Sequence, residues 1–138
     1  TLTHGCILHH RAFTVNVPSA SQTAIADYFG IVSGRNVDKF QTAGVTAVPA
    51  RKVNAPAVAE VPVVVECSLM TTVEVGMHTL FIGEIVEVTI REDMADSDGV
   101  PDVDAYAPVF CGAANKYHRL GRQCGRAFND GKRFKKMG

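Results

Sequence analysis

Four groups of side chains in this 138-residue chain have types and spacings that suggest chemistry. His4, Cys6, His9 and His10 gather imidazole and thiolate groups, the ligands zinc prefers, in one short stretch. On an extended strand His4, Cys6 and His10 share a face while His9 points away, so four ligands do not converge. Packing or surface histidines are expected there, with no metal. Glu66 and Glu84 sit within otherwise apolar stretches and, as a pair, would suit acid and base work. Their neighbours suit a barrel wall or a subunit interface, where carboxylates are satisfied by backbone or Arg donors, so a structural role is expected. Thr1-Leu2-Thr3 and Ser33-Gly34-Arg35-Asn36-Val37-Asp38-Lys39 combine small hydroxyls, glycine and basic side chains. Such sets cradle phosphate through backbone N–H groups and point charge. For the second segment, a helix stop followed by solvated charges is an equal explanation. His78 follows a Gly76-Met77 turn and opens a strand, where an imidazole either faces a ligand or caps a hairpin.

The elements that must position these groups are legible in the apolar pattern. Phe13 to Val17 alternates as a half-buried strand ended by Pro18. Ser19 and Gln22 form a capping box, and Ile25, Tyr28, Phe29 and Val32 follow on one helical face, with Gly34 as a left-handed stop. Residues 35–62 read as irregular, with one helical turn at Val37 to Phe40. Val61 to Val75 and Thr79 to Arg91 alternate in β-branched blocks and predict a long hairpin across Gly76-Met77-His78. On its second strand Leu80, Ile82, Glu84, Val86, Val88 and Ile90 share one face, and Phe81, Gly83 and Ile85 the other. Asp96-Ser97-Asp98-Gly99 reads as a turn or surface loop. Tyr117, Leu120, Cys124 and Phe128 space as a last helix, with Gly121 and Gly125 permitting close approach of another backbone. Long strands with two peripheral helices imply a β-rich domain.

Composition sets the outer limits. Lys plus Arg and Asp plus Glu balance at 14 each, so no global field points to nucleic acid. The charges are segregated, acidic from Glu60 to Asp104 and basic after Lys116. The tail Lys132-Arg133-Phe134-Lys135-Lys136 reads as a solvated terminus. The longest apolar run, Val61 to Val65, is far short of the roughly 20 residues of a membrane helix. A start without Met or a secretory signal suggests a processed chain or a fragment, and cytoplasm is the default. Cys6, Cys67, Cys111 and Cys124 form no close pair, as expected of reduced thiols.

Taken in order, several stretches resemble the flavoredoxin and flavin reductase family of FMN-binding split barrels. They are Phe13 to Ser19, Asp27 to Arg35 with Asp38-Lys39-Phe40, Glu66-Cys67, Gly76 to Glu84, and the closing Tyr117, Leu120-Gly121, Phe128 and Gly131-Lys132. The resemblance covers nearly the whole chain as a single domain, residues 1–138. It implies a β-barrel with peripheral helices, a Greek-key split barrel, incomplete at the N-terminus because the family domain begins with further strands. It also implies a homodimer with FMN at the subunit boundary. Thr3 matches a phosphate-loop Thr, Lys39 the Lys near the FMN phosphate and ribityl chain, and His78 the His beside the flavin. Phe110 is a weaker match, and Asn16, Ser33 and Gly34 lie in matching motifs. The activity implied is an NAD(P)H-dependent FMN reductase that transfers hydride to flavin, with His78 as its catalytic residue. The alternatives are a flavoredoxin-type electron-transfer flavoprotein without nicotinamide activity, possessing a protein partner, or an inactive fragment.

Overall fold

The computed structural model describes residues 1–135; Lys136 of the basic tail lies outside the described residues. The chain runs α1 (Leu2–His10), β1 (Ala12–Val17), α2 (Thr23–Ile31), α3 (Lys39–Ala43), β2 (Ala47–Pro49), β3 (Pro56–Val58), β4 (Val63–Val75), β5 (His78–Ile90), α4 (Val103–Tyr106), β6 (Val109–Cys111) and β7 (Tyr117–Arg119). Its main sheet has three antiparallel strands in the order β1-β4-β5. The pairs β2-β3 and β6-β7 form two small sheets. No helix among the described residues is long and apolar enough to cross a membrane.

The long hairpin forms as the alternating β-branched pattern requires, with Gly76 at φ 59° making its turn. Two register shifts interrupt it, between Glu66 and Cys67 and between Leu69 and Thr71, leaving Val86 on β5 and Met70 on β4 without partners. The expected alternation of β5 shows from His78 to Gly83, where Thr79, Phe81 and Gly83 are the more covered residues, and breaks at Glu84, Ile85 and Val86, which are all exposed. Gly83 is needed for close approach. A methyl group there would stand 2.8 Å from the Phe13 ring and 3.0 Å from the Cys67 Cβ. The core lies where the sheet is covered, among Ala12, Val45, Ala57, Val63, Val64, Cys67, Leu69 and Ala107.

Four local expectations give way. The opening segment is a helix, because the Thr1 hydroxyl caps it by accepting from the His4 N–H at 3.2 Å. The Ser19–Gln22 capping box is present, but α2 ends at Ile31 as Val32 turns extended, so Gly34 is not a left-handed stop. The stretch 35–62 is less irregular than its punctuation suggests: Asp38 caps α3 and Gly44, at φ 66°, ends it, before β2 and β3 pair. The last expected helix is absent. Tyr117 belongs to β7, where its hydroxyl donates to Asp27 at 3.0 Å, and Phe128 is 98% exposed at φ 60°. Gly121 and Gly125 disfavour a helix, and no packed face compensates. Close helix approach through these glycines thus has no helix to act through.

Candidate functional site

A cavity of about 1220 Å³ opens between α1, α2, the 32–38 loop, α3, β1 and the β2–β3 unit. Five of the residues singled out from sequence line it: Thr3, Asn16, Ser33, Gly34 and Lys39. Two do not. His78 is exposed at the tip of the β4–β5 hairpin, paired with Val75, and Phe110 is exposed on β6 opposite His118.

One end of the cavity is electropositive by construction. Thr3 lies in the first turn of α1, where the Leu2 and Thr3 N–H groups have no intrahelical acceptor and the helix dipole is positive. Gly34 packs against this turn. A Cβ on it would lie 3.3 Å from a Leu2 methyl and 3.7 Å from Lys39 Cε, so the 33–39 segment and α1 meet there. Lys39 Nζ donates to the Phe29 carbonyl at 2.6 Å and sits 5.6 Å from the Phe29 ring centroid. An ammonium has three donors, so this bond does not exhaust it. Ser33 Oγ accepts from the Arg35 N–H at 3.3 Å, which shapes the loop. Arg35 lines the cavity as well and adds a second cation.

The far wall is apolar and braced by side chains of the sheet. Asn16 donates to Thr14 Oγ1 at 3.0 Å and accepts from the Val58 N–H at 2.8 Å, so its amide ties β1 to β3 while lining the cavity. Phe13, whose ring packs against Gly83, forms part of the same wall. Arg35 belongs to the basic Ser33–Lys39 segment already legible in the sequence; Phe13 does not. The Phe13–Gly83 contact depends on a cross-sheet proximity that no local pattern reveals.

The other candidate groups are dispersed. His4 Nε2 lies 3.1 Å from Thr79 Oγ1, which donates to Glu74, and the His10 ring bonds Asn54 at 2.9 Å. Among the described residues no three His, Cys, Asp or Glu side chains gather to hold a metal. Glu66 and Glu84 are not a pair. Glu66 is 1% exposed and accepts from the backbone N–H groups of Arg51 and Lys52, whereas Glu84 is exposed opposite Ser68. Burial pushes the Glu66 carboxyl pKa up, but the N–H donors of Arg51, Lys52 and Val53 and the charge of Arg51 outweigh it and hold the pKa below its ordinary value.

Residues 1–110 match the family model described as flavin reductase like domain. The chain belongs to this family. Flavoredoxin of Desulfovibrio vulgaris (Miyazaki F) superposes with a TM-score of 0.89 at 40% identity, covering 95% of this chain and 70% of that one. An FMN-binding protein from Thermus thermophilus, with bound 1-cyclohex-2-enone, gives 0.73 at 25% identity over 90% of this chain and 66% of its own. An uncharacterized protein of Archaeoglobus fulgidus is 35% identical over 102 residues, 74% of this chain and 56% of the relative. The flavin reductase-like chain thus spans little more than half the length of that relative. Its β-rich architecture with peripheral helices is the split-barrel fold of its structural neighbours.

Proposed function

We infer that the cavity binds FMN and that the chain serves a flavin-dependent oxidoreductase taking hydride from NADH or NADPH. What carries this reading is the meeting of the α1 N-terminus, Gly34 and Lys39 at one end of a cavity whose other walls are apolar. The volume is ample, since pockets for ligands of this size are about 300–1,000 Å³. Thr3, Ser33, Arg35 and Lys39 would hold the phosphate through hydroxyl, backbone and cationic donors. Phe13 and the braced β1–β3 wall would take the ring system, with Asn16 fixing the wall. When bound, FMN supplies an acceptor for a hydride and a donor of one or two electrons.

The chain's own task is placement, since reacting groups must approach to about 3–3.5 Å, and no side chain has to act as nucleophile. His78 and Phe110 lie outside the cavity of their own chain. The family resemblance implies a homodimer with FMN at the subunit boundary, and on this reading His78 and Phe110 act on the flavin from the second copy of a C2 pair. A second reading, an electron carrier without a nicotinamide site, is favoured by the likeness to flavoredoxin.

Fluorescence titration tests the phosphate assignment. Lys39→Ala should weaken FMN by about tenfold, which is about 1.4 kcal/mol, and leave riboflavin unchanged. Equal affinity of the wild type for the two flavins removes Thr3 and Lys39 from that role. Anaerobic rapid mixing separates the two readings: bleaching by NADH or NADPH supports the reductase, and bleaching only by a reduced ferredoxin-like protein supports the carrier. In the first case His78→Ala should slow reduction more than it weakens FMN binding.

A further inference from the structure

The β2–β3 unit contributes Asn54, Ala55, Pro56 and Val58 to the cavity, yet its strands are three residues each, too short to hold a conformation unaided. Three polar side chains from the main sheet secure it. Thr14 on β1 donates to the Pro56 carbonyl, and Asn16 on β1 accepts from the Val58 N–H. Glu66, which pairs with Thr14 across β1 and β4, reaches the connecting loop 50–55. Its two carboxylate oxygens accept separately from consecutive N–H groups, Oε1 from Arg51 at 2.8 Å and Oε2 from Lys52 at 2.7 Å. Successive N–H groups converging on one point form an anion-binding nest, and here the guest is the protein's own carboxylate. The loop is closed on itself by the Ala50 N–H to the Ala55 carbonyl at 3.0 Å and the Ala55 N–H to the Val53 carbonyl at 2.9 Å. From the held loop, Asn54 reaches the His10 ring on the last turn of α1.

We propose that Glu66 is a positioning residue for the ligand cavity: its buried carboxylate fixes loop 50–55 and, through Asn54 to Pro56, the placement of one wall and of the end of α1. The proposal rests on the reading that the cavity takes a flavin, and it concerns the wall, not the phosphate end. Removing the clamp therefore affects every flavin alike. Glu66→Gln keeps the shape but presents an NH2 group to one of two N–H donors, so one loop amide loses its acceptor.

The experiment pairs hydrogen exchange with flavin titration on the full chain. In Glu66→Gln the amides of Arg51, Lys52 and Val53 should exchange at least about tenfold faster, while those of Val63 to Val65 keep their protection. FMN and riboflavin should weaken together by about tenfold, leaving their ratio at the wild-type value. Unchanged exchange at residues 51–53 overturns the clamp. Faster loop exchange with both affinities unchanged overturns its role in the cavity wall, as does a loss confined to FMN. Should Glu66→Gln fail to fold, Glu66→Asp retains the charge on a shorter arm and must show the same two changes at smaller amplitude. A wild type that binds neither flavin removes the flavin reading, and the clamp is then decided by the exchange data.

Discussion

The two halves of β4, the first strand of the long hairpin, are both rich in β-branched residues and opposite in fate. From Val63 to Leu69 nearly every β4 residue is buried or half-buried, whereas from Met70 to Val75 nearly all are exposed, including Met70, Val73 and Val75. Along β5 the division is not repeated: Leu80 and Ile82 are exposed in the far half, and Ile85, Val86 and Val88 are exposed in the near half. Strand-forming preference is therefore satisfied throughout, and burial is decided by what lies opposite. The near half of β4 meets β1 and, through Glu66, the loop joining β2 to β3; the far half has the turn and, on one side, α1 through His4 and Thr79. A hairpin can thus be specified by its own sequence while its core is specified by its neighbours.

The sharpest test of this contrast compares two leucines. Leu69→Ala, at a site 5% exposed, should lower the unfolding free energy by about 2–5 kcal/mol, as large-to-small core changes do. Leu80→Ala, at a site 56% exposed, should stay within about 0.5 kcal/mol. Urea unfolding with unchanged slopes measures both, and a large cost at Leu80 would mean that the far face is covered in solution. Gly83→Ala comes next. A methyl group pressed into the Phe13 ring should cost about 1–3 kcal/mol and disturb the cavity wall, and a neutral result would mean that Phe13 moves freely off the sheet.

The smallest effect appears only in acid. Glu66 has a folded pKa held below its ordinary value, so its contribution is complete above the unfolded carboxylate pKa of about 4.3 and fades as pH falls through the folded value. Glu60 behaves alike, because both its oxygens accept from the Thr46 N–H at 3.0 Å. The stability advantage of wild type over Glu66→Gln should be constant near neutrality and shrink on acidification. A gap that persists unchanged to about pH 2 would mean that ionisation of Glu66 is not what the near half of the hairpin depends on.

Much of this was legible in the chain itself, and the misses have physical causes. The hairpin could be read because β-branched alternation and a Gly turn are local signals, and the Ser19–Gln22 box because a cap is written in four adjacent residues. The share of Ser33 to Lys39 in the cavity lining also showed, since those residues lie together. The α1 helix was hidden because its histidines mask any apolar stripe, and β2 and β3 because three residues carry no period. Tyr117 to Phe128 had the spacing of a helix without a surface to bury it. The Glu66 clamp was invisible in kind: its partners are backbone groups some 14 residues upstream, where side-chain identity says nothing.

The two offsets in the hairpin bear on how its length can vary between related chains. Met70 and Val86 are the residues passed over by the pairing, one on each strand, and the pairings beyond both offsets belong to one common register. Losing either codon would straighten a kink and leave every other pair intact. Losing a codon elsewhere along β4 or β5 would slip the register from that point to the turn and send each following side chain to the wrong face. Alignment gaps within this hairpin should therefore gather at these two positions.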